Sequence, residues 1–366
     1  MAARRRAAAG LLPAAEPVRF VAEDGSACSP PAGYAEAPED RLREAYRLMV
    51  LGRRFDAQAT ALTKQGRLAV YPSAAGQEAC QIGAVLALRE DDWLFPTYRD
   101  SMALVARGLD PVELMALLRG TWHCGYDPYA TCTAPQCTPL ATQALHAVGL
   151  ADAIRRRHQD QVVMAFIGDG GTSEGDFHEA LNFAAVFGAP VVFFVQNNRF
   201  AISVPLEKQT RAPALAYKGI GYGVASEQVD GNDLVAVLSV LDRAVAHARR
   251  GGGPFLVEAH TYRIDAHTNA DDAARYRDAA EVERWRAADP VLRLEKHLRG
   301  RSVLTDADVA ADQAAAEEFA AEFRAAMNSE PAVDPLELFA HVYAGPTRQL
   351  AAQREALRAE LAAQEA

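Results

Sequence analysis

Two places in the chain end an apolar run on groups that can bind or react. Residues 162–167 run into GDGG, which sets Asp169 between Gly168 and Gly170, and residues 191–195 run into QNN, which ends on Asn198. If the runs are parallel strands joined by a crossover helix over 172–187, both end at one sheet edge. Asp169 and Asn198 then emerge side by side, where α/β proteins bind ligands. Gly168, Gly170 and Gly171 allow a tight turn and close approach of backbone to ligand. Amides leading into a helix N-terminus attract phosphate. One carboxylate and one amide oxygen suit Mg²⁺, which keeps phosphate oxygens and water in its other positions. The pattern points to a diphosphate bridged by a divalent cation. It is not the dinucleotide fingerprint, since no GxGxxG follows the first run, nor a P-loop, since GK[ST] is missing. A lone GDG is more often a turn; GDG and NN paired across one crossover is a far more specific signal.

These residues need elements to hold them. Residues 39–65 read as a helix with Leu42, Ala45, Leu48 and Met49 on one face, and 75–89 as a second. WLFPTYRD reads as a strand-like turn and 141–157 as an Ala-rich helix. The crossover helix would pack Phe177, Leu181, Ala184 and Phe187 on the sheet. A helix over 234–249 and the turn GGGP precede another apolar run at 255–259. Apolar runs alternating with helices predict an α/β fold, a mostly parallel sheet flanked by helices. The expected organisation is an irregular N-terminal arm (1–38), an α/β domain (39–289) and a helical, charged C-terminal region (290–366). Its last helix carries Leu350, Leu357 and Leu361 at near-heptad spacing and should lie on its own domain or on a partner.

Composition narrows the partners. The chain has 366 residues, half of them hydrophobic, enough for one large domain or two modest ones. A formal net charge of -10 argues against a groove that tracks nucleic-acid phosphates. No apolar run approaches the roughly 18 residues that cross a membrane. Five scattered cysteines suggest free thiols in a reducing compartment, and Cys124, Cys132 and Cys137 lack the CxxC spacing of a zinc site. The opening MAARRRAAAGLLPAA has the Arg/Ala bias of a mitochondrial transit peptide. That bias runs throughout the chain, however, so the opening reads as a disordered arm of a cytoplasmic protein.

The longer text GDGGTSEGDFHEALNFAAVFGAPVVFFVQNNRFAIS resembles the alpha subunit of the decarboxylating component of 2-oxo acid dehydrogenase complexes. YPSAAGQEA, WLFPTYRD, TPLATQ, GYGVASEQVDGND and TYRIDAHTNADDAARYR share the resemblance, which runs from about Glu39 to the C-terminus. It implies a thiamin-diphosphate-binding fold. Asp169 and Asn198 would hold Mg²⁺ by side chain, with the backbone carbonyl of Phe200 as a third ligand. Tyr98 and Arg99 would meet the diphosphate, with backbone contacts from Gly170 and Gly171. Thr138, Leu140 and Ile202 would lie near the aminopyrimidine. Thr142 and Gln143 resemble a turn that binds K⁺ in some relatives, with Cys137 where those relatives have Ser. Gln196 replaces an Arg that meets the diphosphate in others. His267 matches the catalytic histidine, which serves the chemistry at the cofactor and acyl transfer to lipoamide, and Arg263 would anchor its loop. Thr268 stands where some animal relatives carry a phosphorylated Ser. His146 reads as a packing residue.

The resemblance also implies partners. The glutamate that activates thiamin would come from a beta subunit in an α2β2 heterotetramer, and the acyl acceptor would be the lipoyl domain of an acyltransferase. GYGVASEQVDGNDLVAV and the tail VYAGPTRQLAAQREALRAELAAQ lean toward members acting on branched-chain 2-oxo acids such as 3-methyl-2-oxobutanoate. Pyruvate dehydrogenase is the alternative. An acetoin-cleaving dehydrogenase or a non-enzymatic metal-nucleotide module stand further off. Extra methyls discriminate by only about 1–3 kcal/mol each, so few side chains decide the substrate.

Overall fold

The computed structural model describes residues 10–29, 31–329 and 334–365. The apolar runs form the centre of a five-stranded parallel sheet in the order β1-β2-β3-β7-β6. Its strands are β1 (Trp93–Phe95), β2 (Val163–Gly168), β3 (Val191–Asn197), β6 (Ala225–Asp230) and β7 (Phe255–His260). Val163, Ala165 and Ile167 of β2 and Val191, Phe193 and Val195 of β3 share one core with Phe177, Leu181 and Ala184 of the crossover helix and Ala144, Ala147, Val148 and Ala151 of helix Thr142–Arg156. Helix Leu234–His247 packs on β3, β6 and β7 and against helix Glu78–Ala87. The central strands are thus buried along their length, which is why they read as unbroken apolar runs.

Three expectations need correction. The crossover helix begins at Gly175, not at residue 172. Gly170–Ser173 is a 3₁₀ turn, and Glu174 is extended (φ -76°, ψ 146°), which separates turn from helix. The glycine amides therefore belong to a 3₁₀ turn and not to the α-helix N-terminus. Secondly, GVASEQVD, where no strand was expected, forms β6. Ser226, Glu227, Gln228 and Asp230 are buried there, so its sequence carries no apolar run.

The third correction explains the second. The N-terminal arm is ordered over its described residues and covers β6 at the sheet edge. Val18 pairs in parallel with Val229, its amide donates to Gln228 O (2.9 Å), and its carbonyl accepts from Asp230 N (3.0 Å). Glu227 accepts from Ala14 N (2.7 Å) and from the Tyr34 hydroxyl. Asp233 accepts from the amides of Phe20 and Val21, both at 2.7 Å. The buried Arg293 bonds Val21 O and Asp230 (2.9 Å). An edge strand with polar side chains is blunted by this covering segment.

Arg293 lies on helix Pro290–Gly300, which also buries Val291, Leu294 and Leu298. That helix belongs to the first of two compact units, which runs to Ala326. In the second unit, helix Arg348–Glu365 packs with the 3₁₀ turn Pro335–Phe339, and Leu350, Leu357 and Leu361 are its half-buried positions. Among the described residues no helix is long and apolar enough to cross a membrane, and the five cysteines are unpaired.

Candidate active site

The register puts Gly168 of β2 opposite Gln196 of β3. Asp169 and Asn198 therefore leave adjacent strands at the same edge, on the floor of a cleft lined also by Tyr98, Arg99, Leu140, Gly170, Gly171, Phe200, Ile202 and His267. Asp169 is 1% exposed, and burial pushes its carboxyl above the ordinary range. Its Oδ2 accepts a hydrogen bond from Gln209 Nε2 at 2.7 Å. The Asn198 side chain donates to Gln77 Oε1 (3.1 Å) and accepts from Phe200 N (3.3 Å), which turns the chain into hairpin β4 (Phe200–Ala201) and β5 (Val204–Pro205). A Cβ on Gly170 would lie 2.7 Å from Ala201 Cβ, and one on Gly171 would lie 3.0 Å from Ile167 Cγ2. Only glycine fits under the hairpin at the first of these.

Ile202, the first residue of the two-residue hairpin loop, has φ +57°. A two-residue hairpin turn calls for a positive φ there, normally met by glycine; a β-branched residue in that region is strained. Arg263 holds it, donating from Nη2 to Ile202 O at 2.8 Å.

Arg263 and Arg99 also fix His267. Arg99 Nη2 lies 3.0 Å and Arg263 Nη1 3.2 Å from His267 Nδ1. Guanidinium groups only donate, so Nδ1 must present its lone pair, and the neutral ring carries its proton on Nε2. Burial, then Arg99 and Arg263, push the His267 pKa down to about 4. At neutral pH the ring is an uncharged donor through Nε2. Arg99 Nη2 also donates to His267 O (3.1 Å), and Asp271 accepts from His267 N (2.7 Å). The loop is thus clamped from both sides. The Tyr98 ring meets the His267 ring edge-on, with centroids 6.1 Å apart.

A buried chain of two amides and a carboxylate supports the floor. Gln77 Nε2 donates to Gln196 Oε1 (2.9 Å), and Gln196 Nε2 donates to Asp100 Oδ1 (2.7 Å). Gln196 is thereby committed to its neighbours. Gln77, in SAAGQEA, and Asp100, in PTYRD, lay inside quoted motifs, whereas Gln209 gave no signal. Thr138 is exposed and does not line the cleft. Gln143 donates to Phe166 O (2.8 Å), and its buried Oε1 has no partner; Thr142 Oγ1 donates to Asp176 (3.3 Å). Thr268 is half-buried, and His146, expected to pack, is exposed.

The turn before the helix, Gly76, shows how closely the pieces fit. It has φ +96°, and a Cβ there would lie 2.3 Å from the backbone oxygen of Tyr262. Gly76→Ala should cost about 1–3 kcal/mol from overpacking alone, read as a lower urea midpoint with an unchanged slope.

A carboxylate, two strand-end amides and a neutral imidazole at the carboxyl edge of a parallel sheet mark an α/β enzyme that works around an anionic ligand. Residues 46–334 match the family model described as dehydrogenase E1 component, and the chain belongs to that family. It is 47% identical over 347 residues, 95% of both chains, to the 3-methyl-2-oxobutanoate dehydrogenase subunit alpha of Mycobacterium tuberculosis. It is 37% identical over 323 residues (87% of this chain, 93% of the relative) to the pyruvate dehydrogenase E1 component subunit alpha of Acholeplasma laidlawii. The Staphylococcus aureus protein of the same description is 38% identical over 266 residues, 72% of each chain. The role of the chain is therefore enzymatic and exercised as part of a multienzyme dehydrogenase complex, and the family implies thiamin diphosphate as cofactor.

Proposed function

We propose that the chain is the alpha subunit of a thiamin-diphosphate-dependent dehydrogenase that oxidatively decarboxylates branched-chain 2-oxo acids, 3-methyl-2-oxobutanoate among them. The observation that carries this reading is the M. tuberculosis relative, matched along almost the whole of both chains, and the cleft that gathers Asp169, Asn198, Arg99 and His267 supports it.

The donors fit the cofactor. Asp169, Asn198 and the Phe200 carbonyl are hard oxygens suited to Mg²⁺, and Tyr98, Arg99 and the turn amides of Gly170 and Gly171 suit a diphosphate. Leu140 and Ile202 offer apolar surface for an aromatic ring. When bound, thiamin diphosphate supplies the nucleophilic carbon and the electron sink for loss of carbon dioxide. His267, held neutral by two arginines, presents Nε2–H to the oxygen of a 2-oxo acid or of its acyl product. Buried Gln143 Oε1 is an open acceptor for K⁺, and Cys137, whose thiol bonds Pro139 O (3.1 Å), adds no hydroxyl there.

The remaining half of the site comes from a beta subunit. Leu140 (43% exposed), Ile202 (56%) and Val204 (43%) gather apolar surface at the cleft and its hairpin, where a second chain would cover it. That chain would supply the carboxylate that activates the cofactor, and the lipoyl domain of an acyltransferase would take the acyl group. A cytoplasmic location goes with this reading, and the free thiols are in keeping with a reducing compartment.

The test pairs the chain with its beta subunit, thiamin diphosphate, Mg²⁺ and an artificial electron acceptor. The expected result is a higher kcat/KM for 3-methyl-2-oxobutanoate than for pyruvate. The reverse preference would overturn the substrate and leave the cofactor and site as described.

A further inference from the structure

Ser73 lies between two carboxylates. Its Oγ is 2.7 Å from Asp56 Oδ2 and 2.8 Å from Asp265 Oδ2. A serine hydroxyl has one hydrogen and can satisfy only one carboxylate oxygen as donor. The second contact needs a proton on a carboxyl. Asp56 is the group arranged to hold it: its Oδ1 accepts from the Tyr71 hydroxyl (2.9 Å) and Ala74 N (2.9 Å), which leaves Oδ2 for an O–H. With Asp56 protonated, Ser73 Oγ accepts from Asp56 and from Ala75 N (3.2 Å) and donates to Asp265. Each atom's capacity is then filled. Asp56 is buried and Asp265 exposed, so the three groups run from the core to solvent.

The segment carrying Ser73 is the platform for the catalytic loop. Arg99, which holds His267, donates from Nη1 to Ser73 O at 2.8 Å. Ile264 N donates to Ala75 O (3.0 Å), and Tyr71 N donates to Asn269 Oδ1 (3.4 Å). We infer that Asp56, Ser73 and Asp265 share one proton that positions the His267 loop, and that loss of this proton at higher pH loosens the loop. The inference rests on the role proposed for His267.

Burial pushes the Asp56 carboxyl up to about 6, helped by the nearby Glu78. The native state therefore holds a proton that the unfolded chain has already released. The tether is complete on the acid side and lost as pH rises through about 6. The proton leaves to solvent, Ser73 is left with one hydrogen between two anions, and one of its two carboxylate contacts becomes repulsive. The charged groups facing the trio are Glu78, itself paired with Arg53 (2.9 Å), and Arg99 behind Ser73. From helix Asp306–Asn328, Phe319 and Phe323 meet the neighbouring Phe55.

Asp56→Asn reproduces the protonated form, since the amide donates where the acid did. The experiment follows hydrogen exchange of peptides covering 262–277 in the assembled α2β2 protein across pH, corrected for intrinsic rates, together with kcat and cofactor Kd. In the wild type, loop exchange should rise about three- to tenfold through the transition, the factor one net hydrogen bond carries. In Asp56→Asn it should stay flat, and kcat should lose the matching alkaline fall. Ser73→Ala should exchange fast at every pH, with lower kcat and unchanged cofactor Kd. Wild-type exchange that ignores pH, or an Asp56→Asn curve that follows the wild type, overturns the inference. If no 2-oxo acid is decarboxylated but the exchange behaves as expected, the proton-sharing trio stands and the proposed reaction falls.

Discussion

Asp169→Ala is expected to abolish Mg²⁺-dependent uptake of thiamin diphosphate by the assembled enzyme, weakening it by more than about 100-fold. Loss of a residue that merely supports a metal ligand already costs about 10–100-fold, and Asp169 is proposed as a ligand itself. The geometry explains the size of the effect. The carboxylate sits at the strand end, 1% exposed, and Gln209 fixes one oxygen before any ion arrives. An alanine there removes the cleft's anionic partner for the ion and frees the Gln209 amide. Gln209→Ala should weaken binding through the same carboxylate, by less. Calorimetric titration with cofactor, with and without Mg²⁺, measures both. Ordinary Mg²⁺-dependent affinity in Asp169→Ala would overturn the ligand assignment, and a urea melt close to wild type would show that the loss is local.

How much of this could be read from residue order follows from which interactions are local. β2 and β3 were legible because both of their faces are covered, so nearly every residue is apolar. β6 was not, because Glu227, Gln228 and Asp230 are buried against an arm some 210 positions away in sequence, as the Ala14–Glu227 and Phe20–Asp233 bonds record. Polar side chains satisfied by distant backbone look like loop in a local window. The arm misled for the same reason: its Ala/Arg composition suggests disorder, while Val18, Phe20 and Val21 are buried.

The site divides in a similar way. Asp169 and Asn198 were legible from strand periodicity and one crossover. The nearness of His267 came from resemblance alone, since Arg99 reaches it across 168 positions. Gln209 carried no signal at all, and Ser73, though inside YPSAAGQEA, carried none of its own, because a glutamine or serine in a loop is ordinary. Thr138, expected near the aminopyrimidine from its motif, is exposed and does not line the cleft of this chain. The break at Glu174 depends on one extended residue, too fine a feature for helical periodicity to resolve.

His267→Ala should leave cofactor binding within a few-fold of wild type and lower turnover by about 10²–10⁴-fold, the usual contribution of a positioned proton donor. Arg99 and Arg263 specify the role through Nδ1: a ring that accepts from two guanidiniums can only donate through Nε2. Such a ring serves as donor at neutral pH. Protonation would set a third cation beside the two arginines and break both bonds. The folded pKa, about 4, lies below the ordinary histidine value, so the unfolded chain binds this proton first as pH falls. The contribution to stability is present above the ordinary value and is lost on the way down to about 4. Turnover should follow, with an acid limb near the folded value that disappears in His267→Ala, whose residual rate no longer depends on that proton. Measuring kcat against pH for both proteins, with cofactor saturation checked at each point, separates this from acid unfolding. Wild-type turnover in His267→Ala would reduce the histidine to a loop anchor, and an acid limb retained by the variant would assign that proton to another group.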